Sequence, residues 1–362
     1  MSYFRDIRLI NYRNFKDYSL EFTKNCNVLF GTNGSGKTNI LEALSLFTKG
    51  RGIRKDQIKN FIKKNENNFI NFSNFKQFDD SIELKVNSEK KNNKIIKKIF
   101  LNNDSSKKTI DHLYSLFSFL VFLPETERLF LSSPSFRRNF IDGFIFSKDN
   151  AYNILINKYK KNIIERSKIL NLNDYETSWL DKLEENISNL GLEIYKARKL
   201  QIFSIQSHLS LLNEQQKLSF NKLIIKINDR FFNDGINIEL YIKELKKYRE
   251  IDKITGGAHI GPHKSDYIFQ LDENILVSQL STGQQKTIIL LLYLAQSNYL
   301  VNECNLKPIL LMDEICSHLD DINRKLLLKI TEHFDLQIFM TGTDKNLFSF
   351  LSTNTNFCNI TE

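Results

Sequence analysis

The stretch Gly31-Thr32-Asn33-Gly34-Ser35-Gly36-Lys37-Thr38 satisfies Gly-x-x-x-x-Gly-Lys-[Ser/Thr] in full. Before it, Asn27-Val28-Leu29-Phe30 reads as a short buried strand; after it, Asn39-Ile40-Leu41-Glu42-Ala43-Leu44 reads as a helix start. Glycines let a backbone wrap a phosphate at close range, so that successive N–H groups and a helix N-terminus point at the anion. The pattern predicts nucleotide binding by Gly31, Thr32, Asn33, Gly34, Ser35, Gly36, Lys37 and Thr38. Lys37 is expected to reach the β- and γ-phosphates, and the Thr38 hydroxyl to ligate Mg²⁺. A strand, loop and helix in this order place the chain in the α/β class.

A second element belongs with the first. The apolar run Pro308-Ile309-Leu310-Leu311-Met312 ends at Asp313-Glu314. A carboxylate at the carboxyl end of a strand in an α/β sheet lies beside the phosphate loop, so Asp313 is the expected second holder of Mg²⁺, through water. Glu314, one residue on, is the expected base that takes a proton from the attacking water.

The third element is Leu280-Ser281-Thr282-Gly283-Gln284-Gln285. It resembles the Leu-Ser-Gly-Gly-Gln signature of ABC-type ATPases, with Thr282 in place of the first glycine. A long apolar stretch follows, so Ser281 and the Gly283 N–H fall at a helix N-terminus, which attracts anions. The resemblance implies that two heads meet face to face, the signature (Ser281, Gly283, Gln284) of each capping the γ-phosphate held by the other. That is an ATP-dependent homodimer. Ser317-His318-Leu319-Asp320 resembles the D-loop that lines such an interface.

Net charge is +9, which favours a polyanionic partner such as DNA. The four cysteines, Cys26, Cys304, Cys316 and Cys358, form no C-x-x-C pair. That argues against a zinc site or a disulfide framework and fits a reducing cytosol. The first ten residues carry Arg5, Asp6 and Arg8 and have no apolar signal core; the expected location is cytoplasmic. The longest uncharged stretch, Thr287 to Asn302, is shorter than the roughly 20 residues of a membrane span and contains Gln296-Ser297-Asn298.

From Ile7 to Phe22 the pattern suggests strands leading into the phosphate-loop strand. Residues 81–101 read as a hairpin, with Ile82, Leu84 and Val86 alternating with polar neighbours. Its lysines and their neighbours, at 90, 91, 94, 97, 98, 107 and 108, read as a solvated tip in preference to a DNA-facing ridge. Leu113 to Leu123 is nearly all apolar and ends at Pro124-Glu125. Ser133-Pro134-Ser135 then signals a helix start, and helical spacing of apolar residues continues to about 250. Strand-like Tyr267 to Leu271, a helix near 321–333 and a strand Gln337 to Thr341 follow. The expected architecture is an ABC-type ATPase head with a mixed sheet around the phosphate loop, formed by 1–133 and 251–362. A mainly helical domain, 134–250, is inserted into it.

Within the ABC class the chain resembles the bacterial RecF family. The resemblance rests on Tyr12-Arg13-Asn14-Phe15, on Asn33-Gly34 within Gly31–Thr38, and on Phe122-Leu123-Pro124-Glu125 followed by Ser133-Pro134 and Arg137-Arg138. Gly261-Pro262-His263 and Ser281-Thr282-Gly283-Gln284-Gln285-Lys286 complete the set. It implies a DNA-binding ATPase of recombinational repair and replication that recognises duplex DNA and single-strand/duplex junctions. It also implies loading of RecA at gaps with RecR and RecO as partners. Three departures stand out. Family members usually carry Arg-Asp-Asp after Gly-Pro-His, where this chain has Lys264-Ser265-Asp266. The switch histidine of transporter ATPases corresponds to Thr343, before Asp344, and their Q-loop glutamine is replaced near Pro124-Glu125; both imply slow hydrolysis. A transporter subunit would also need a shorter interval between Lys37 and Ser281. An SMC-type structural protein would need a far longer, heptad-patterned one.

Overall fold

A computed structural model of the chain describes residues 2–361 apart from 79, 92–93, 173–175, 217–222, 232–235, 273, 317–318 and 334. The D-loop-like residues Ser317 and His318 therefore lie outside the described residues. The chain divides into two compact units, Met1–Glu127 with Thr282–Glu362, and Arg128–Ser281.

The first unit contains two sheets. One is parallel, with strands in the order Asn356–Asn359, Cys26–Phe30, Ile338–Gly342, Ile309–Met312 and Phe119–Phe122. Ile309–Met312 and Ile338–Gly342 are buried at every position, as apolar runs covered on both faces must be. The helix Thr282–Asn302 belongs to the same unit, and its residues from Gln285 to Leu300 are all buried. A helix buried on every face is a core element, and its central run Ile288–Ala295 is apolar throughout. The second sheet is antiparallel, in the order Phe15–Glu21, Asp6–Tyr12, Ile70–Gln77, Asp80–Lys91, Lys94–Leu101, with Ser2–Phe4 paired beside Ile70–Gln77. The expected mixed sheet is thus realised as two sheets. Phenylalanines fill the space they share: the Phe4 ring stands 5.1 Å from both Phe75 and Phe117 and 6.1 Å from Phe119. Burial of that much aromatic surface makes this a core that holds the phosphate-loop strand in place.

The hairpin forms as expected, its strands meeting at Lys91 and Lys94. One of its lysines departs from the solvated-tip expectation. Lys97 points inward, donating to the carbonyls of Leu46 at 2.9 Å and Thr48 at 2.7 Å, just past the helix Lys37–Ser45. Cations suit helix C-termini, where carbonyls lack intrahelical partners. Burial pushes the Lys97 amine down to about 7.

The second unit is helical but wider than expected. Helical spacing alone places the inserted domain at 134–250; the structure extends it from Arg128 to Ser281. Residues 251–281 belong there because Asp266–Leu271 pairs antiparallel with Leu223–Asn228 in a three-stranded sheet. Its helices Ala151–Leu170 and Thr177–Gln216 are joined through a buried cation: Arg166 donates to Glu184 at 2.9 Å, to Asp252 at 2.6 Å and to the Leu245 carbonyl at 2.8 Å. All three charged groups are almost fully buried, so each depends on the others. Gly-Pro-His is a packing device in this unit. Gly261 has a positive φ, and a Cβ there would collide with the hydroxyls of Tyr159 and Tyr241. Burial holds His263 near 4, so the ring is neutral; Nε2 donates to the Ala258 carbonyl at 2.9 Å and Nδ1 accepts from Tyr159 at 2.8 Å. Asp266, in the altered loop, accepts both forks of Arg137 at 2.7 and 2.8 Å.

Candidate nucleotide-binding site

Ligands in open α/β sheets bind at the carboxyl ends of the strands. Three adjacent strands, Cys26–Phe30, Ile338–Gly342 and Ile309–Met312, end side by side, and the sequence-expected residues follow two of them. The loop after Phe30 is shaped by its glycines. Gly31, Gly34 and Gly36 have φ of 151°, 88° and 104°. A Cβ on Gly31 would lie 2.5 Å from the Ile360 carbonyl oxygen, and one on Gly36 would strike the Phe15 ring. Both glycines are therefore fixed by sterics as well as by conformation.

The helix Lys37–Ser45 starts with Gly36 as its N-cap and has no side-chain cap, so its first N–H groups keep their donor capacity for a ligand. Ser35 is buried, and its hydroxyl has no hydrogen-bond partner in the loop. Lys37 folds back to donate to the carbonyls of Gly31 at 2.9 Å and Thr32 at 2.7 Å. Burial holds its amine below the usual lysine range, while Glu314 and Asp313 pull the other way. A cation surrounded by backbone carbonyls and facing two carboxylates is poised to exchange those partners for phosphate oxygens.

The expected metal residues are brought together. Thr38 Oγ1 donates to Asp313 Oδ1 at 2.9 Å. Asp313 is 4% exposed. Sequence reasoning missed the third member: Thr341, fully buried on the intervening strand, donates to the same Asp313 oxygen at 2.7 Å and accepts from the Glu314 N–H at 2.8 Å. Glu314 follows with φ of 50°, a left-handed conformation unusual for a glutamate, and is exposed at the mouth of the loop. Thr341 thus bends the chain so that two consecutive acids take separate positions. Thr32, Asn33 and Gly34 are exposed or half-buried at the loop's tip.

A bracket of amides supports the loop from outside. Asn14 donates to the Ser35 carbonyl at 3.2 Å and accepts from Asn39 at 2.8 Å. Behind it, Arg13 reaches the buried Glu42 at 2.7 Å and Asp56 at 3.0 Å, and lies over the Phe61 ring. Burial raises the Glu42 carboxyl, and Arg13 works against that rise. The Tyr12-Arg13-Asn14-Phe15 stretch has no role that its sequence alone assigns, yet three of its four residues touch the phosphate loop or its helix.

The signature stands at the start of the helix Thr282–Asn302. Ser281 and Gln284 are exposed or nearly so, and Gly283 is half-buried. Its fixed contacts run to the segment after Asp313-Glu314. Asn323 accepts from Thr287 at 2.9 Å and its own N–H donates to Asp320 at 2.9 Å, while Asp320 Oδ2 would lie 3.6 Å from a Cβ on Gly283. These side chains hold the first turn of the helix from behind and leave the signature facing outward. Lys286, nearly buried, pairs with Glu127 at 2.6 Å, which ties this helix to the turn that begins at Pro124.

A parallel sheet bearing a phosphate loop, a hydrogen-bonded Thr38–Asp313 pair and a helix-borne signature defines the chain as an ABC-type ATPase head. The family described as the RecF/RecN/SMC N terminal domain matches residues 3–360. The chain is 33% identical over 353 residues to the DNA replication and repair protein RecF of Rickettsia typhi, covering 94% of each. It is 34% identical over 349 residues to that of Rickettsia prowazekii, again 94% of each. The chain belongs to the RecF family. Among solved structures, the recombination mediator protein RecF-ATPrS in the RecFOR pathway superposes with a TM-score of 0.83 at 26% identity, over 97% of this chain and 94% of that one. An SMC head bound to the C-winged helix domain of ScpA shares the fold alone, with a TM-score of 0.55 at 15% identity over 96% and 92%.

Proposed function

We propose that this chain is an ATP-gated DNA-binding protein of recombinational repair and replication, in which ATP joins two copies and the closed pair holds DNA. The observation that carries the reading is the convergence of Lys37, Thr38, Asp313 and Thr341 in a chain matched along its length by RecF relatives. The relatives are named for DNA replication and repair, and RecF has been solved as RecF-ATP and as RecF-ATPrS.

The residues fit ATP and Mg²⁺. An uncapped helix N-terminus, an unpartnered buried Ser35 hydroxyl and the Lys37 amine supply donors for phosphate oxygens. The Thr38 hydroxyl and Asp313 carboxylate are the oxygen ligands that Mg²⁺ prefers. Mg²⁺, when bound, neutralises charge developing on the phosphates. Glu314 orients water and accepts its proton. Hydrolysis is slow, because Thr343 and Asp344 stand where transporter ATPases have their switch histidine. Ser281, Gly283 and Gln284 act on the nucleotide of the second copy. RecR and RecO are the protein partners that family membership suggests, with RecA loading at gaps as the outcome.

Among the described residues no helix is long and apolar enough to cross a membrane. A transporter subunit and an SMC-type structural protein are the less favoured readings. Sedimentation with and without ATP and duplex DNA tests the proposal. ATP-dependent doubling of mass that DNA enhances supports it; a monomer indifferent to both overturns it.

A further inference from the structure

Seven cations and one carboxylate occur between Lys49 and Lys64, two-thirds of the chain's net charge in one short stretch. The structure explains how that charge is displayed. Beyond the phosphate-loop helix the chain doubles back along it. The Ile53 N–H donates to Ser45 Oγ at 3.1 Å, and Gly52, with φ of 76°, lies against Glu42, Ser45 and Leu46. The Lys63 N–H then donates to the Asn11 carbonyl at 2.8 Å, and Arg13 N–H to the Phe61 carbonyl at 2.8 Å. The apolar residues of the stretch turn inward: Phe61 is fully buried, and Ile53, Ile58 and Ile62 pack on the main core. Its single acid is already paired, since the partly exposed Asp56 accepts from Arg13 at 3.0 Å and from Asn60 at 2.6 Å.

What remains outside is cationic. Lys49, Arg51, Arg54, Lys55, Lys59 and Lys64 are exposed, and none forms an ion pair among the described residues. The hairpin lysines are mixed. Lys97 is turned inward, Lys98 pairs with Glu89 at 3.4 Å and Lys85 lies over Phe72 and Phe100. Lys90, Lys91 and Lys94 stand exposed at the tip without an ion pair among the described residues, and so serve as the matched control.

The geometry points to the surface of residues 49–64 as the contact of this chain with the phosphate backbone of duplex DNA. This assignment rests on the DNA-binding reading above. It names the residues that do the gripping. The surface carries no exposed aromatic or aliphatic anchor of the kind that protein partners bury at hot spots, and no group set to read base edges. Unpaired cations on a rigid support suit a regularly charged, sequence-independent polyanion. The support is the phosphate-loop helix itself, with Arg54 3.4 Å from Asn39, which holds the Asn14 bracket.

The test compares the full-length wild type with two triple variants on a fluorescein-labelled duplex of arbitrary sequence, across a salt series. Lys55→Gln/Lys59→Gln/Lys64→Gln leaves Arg54 and Lys63, which bond the bracket, untouched. Lys90→Gln/Lys91→Gln/Lys94→Gln removes the same charge from the hairpin tip. The first triple should weaken duplex binding at least about tenfold and flatten the log–log salt slope by about 0.9 for each phosphate no longer neutralised. Its affinity for a fluorescent ATP analogue should stay at the wild-type value, which also shows that it folds. The hairpin triple should bind DNA as the wild type does. Equal weakening in both triples, or none in the first, overturns the assignment while leaving DNA binding intact. A wild type that binds no duplex overturns the functional reading together with it.

Discussion

Thr38 and Asp313 lie 275 positions apart in sequence, yet the hydroxyl of one donates to the carboxylate of the other at 2.9 Å. Strand order does this. Cys26–Phe30 and Ile309–Met312 flank Ile338–Gly342, so the loops that follow the two outer strands converge over the end of the middle one. Thr341 fills that gap, so the two oxygens proposed above as Mg²⁺ ligands already stand together without rearrangement of the sheet. Such preorganisation is what makes a phosphate site bind tightly with little reordering cost.

Lys37 offers the most direct check. Lys37→Met deletes a charge-assisted contact worth about 1.5–3 kcal/mol, so ATP should bind about tenfold or more weakly by calorimetry. The fold should survive, because the lysine's present partners are carbonyls at a partly exposed loop. An unchanged affinity removes Lys37 from the site.

Glu314 is positioned by backbone strain and by its N–H bond to Thr341. Glu314→Gln keeps the shape and hydrogen-bonding reach but cannot accept the proton. ATP should bind and persist, leaving a closed dimer that gel filtration resolves with DNA attached. Hydrolysis at the wild-type rate would identify another base.

Much of this site is legible in the sequence because its motifs are contiguous. Gly31–Thr38 and Asp313-Glu314 carry their chemistry within a few residues, and their strand contexts follow from simple apolar runs. Thr341 is not legible, although the strand Gln337 to Thr341 is. Nothing local marks its hydroxyl; only the neighbouring register, with Thr341 opposite Leu29, aims it at Asp313. The Asn14–Asn39 bracket escapes for the same reason. The end of the inserted unit is hidden because Asp266–Leu271 looks like any strand until its partner Leu223–Asn228 is known. Lys97 is different, since period-2 alternation places it on the face of Ile99, which is buried. The clue is present, outweighed by the expectation that a lysine in a run of lysines faces water.

Lys97 also predicts a pH dependence. Its folded value of about 7 lies below the 10.5 of an unfolded lysine, because burial disfavours the charged amine. Between those values the unfolded chain holds a proton that the folded chain has released, so stability rises with pH across that window. The penalty is full below pH 7. Lys97→Met removes the titration and both carbonyl bonds together. Its melting temperature should fall below wild type, and the gap should widen from pH 6 to pH 9. A gap that is constant with pH would mean that the amine is charged throughout and held by its two carbonyl acceptors.

Ser281 tests whether nucleotide is shared between two copies. Asn323 and Asp320 hold the helix start from behind, and Ser281 and Gln284 stand toward the outside, as a surface awaiting a second chain would. Ser281→Arg leaves the loop at 31–38 untouched, so a single chain should bind ATP as the wild type does. The bulky cation should prevent closure, and ATP-dependent dimerisation, hydrolysis and tight DNA grip should disappear together. Linkage demands that they do: if ATP and DNA both favour the closed pair, each strengthens the binding of the other, and a block on closure uncouples both. Mixing separates this from general damage. A dimer of one Ser281→Arg chain and one Lys37→Met chain has one composite site with neither lesion and one with both. Hydrolysis that is absent from each variant alone should return in part on mixing. Ser281→Arg that still dimerises on ATP in the ultracentrifuge would show that the stretch from Leu280 to Gln285 caps its helix and does nothing more.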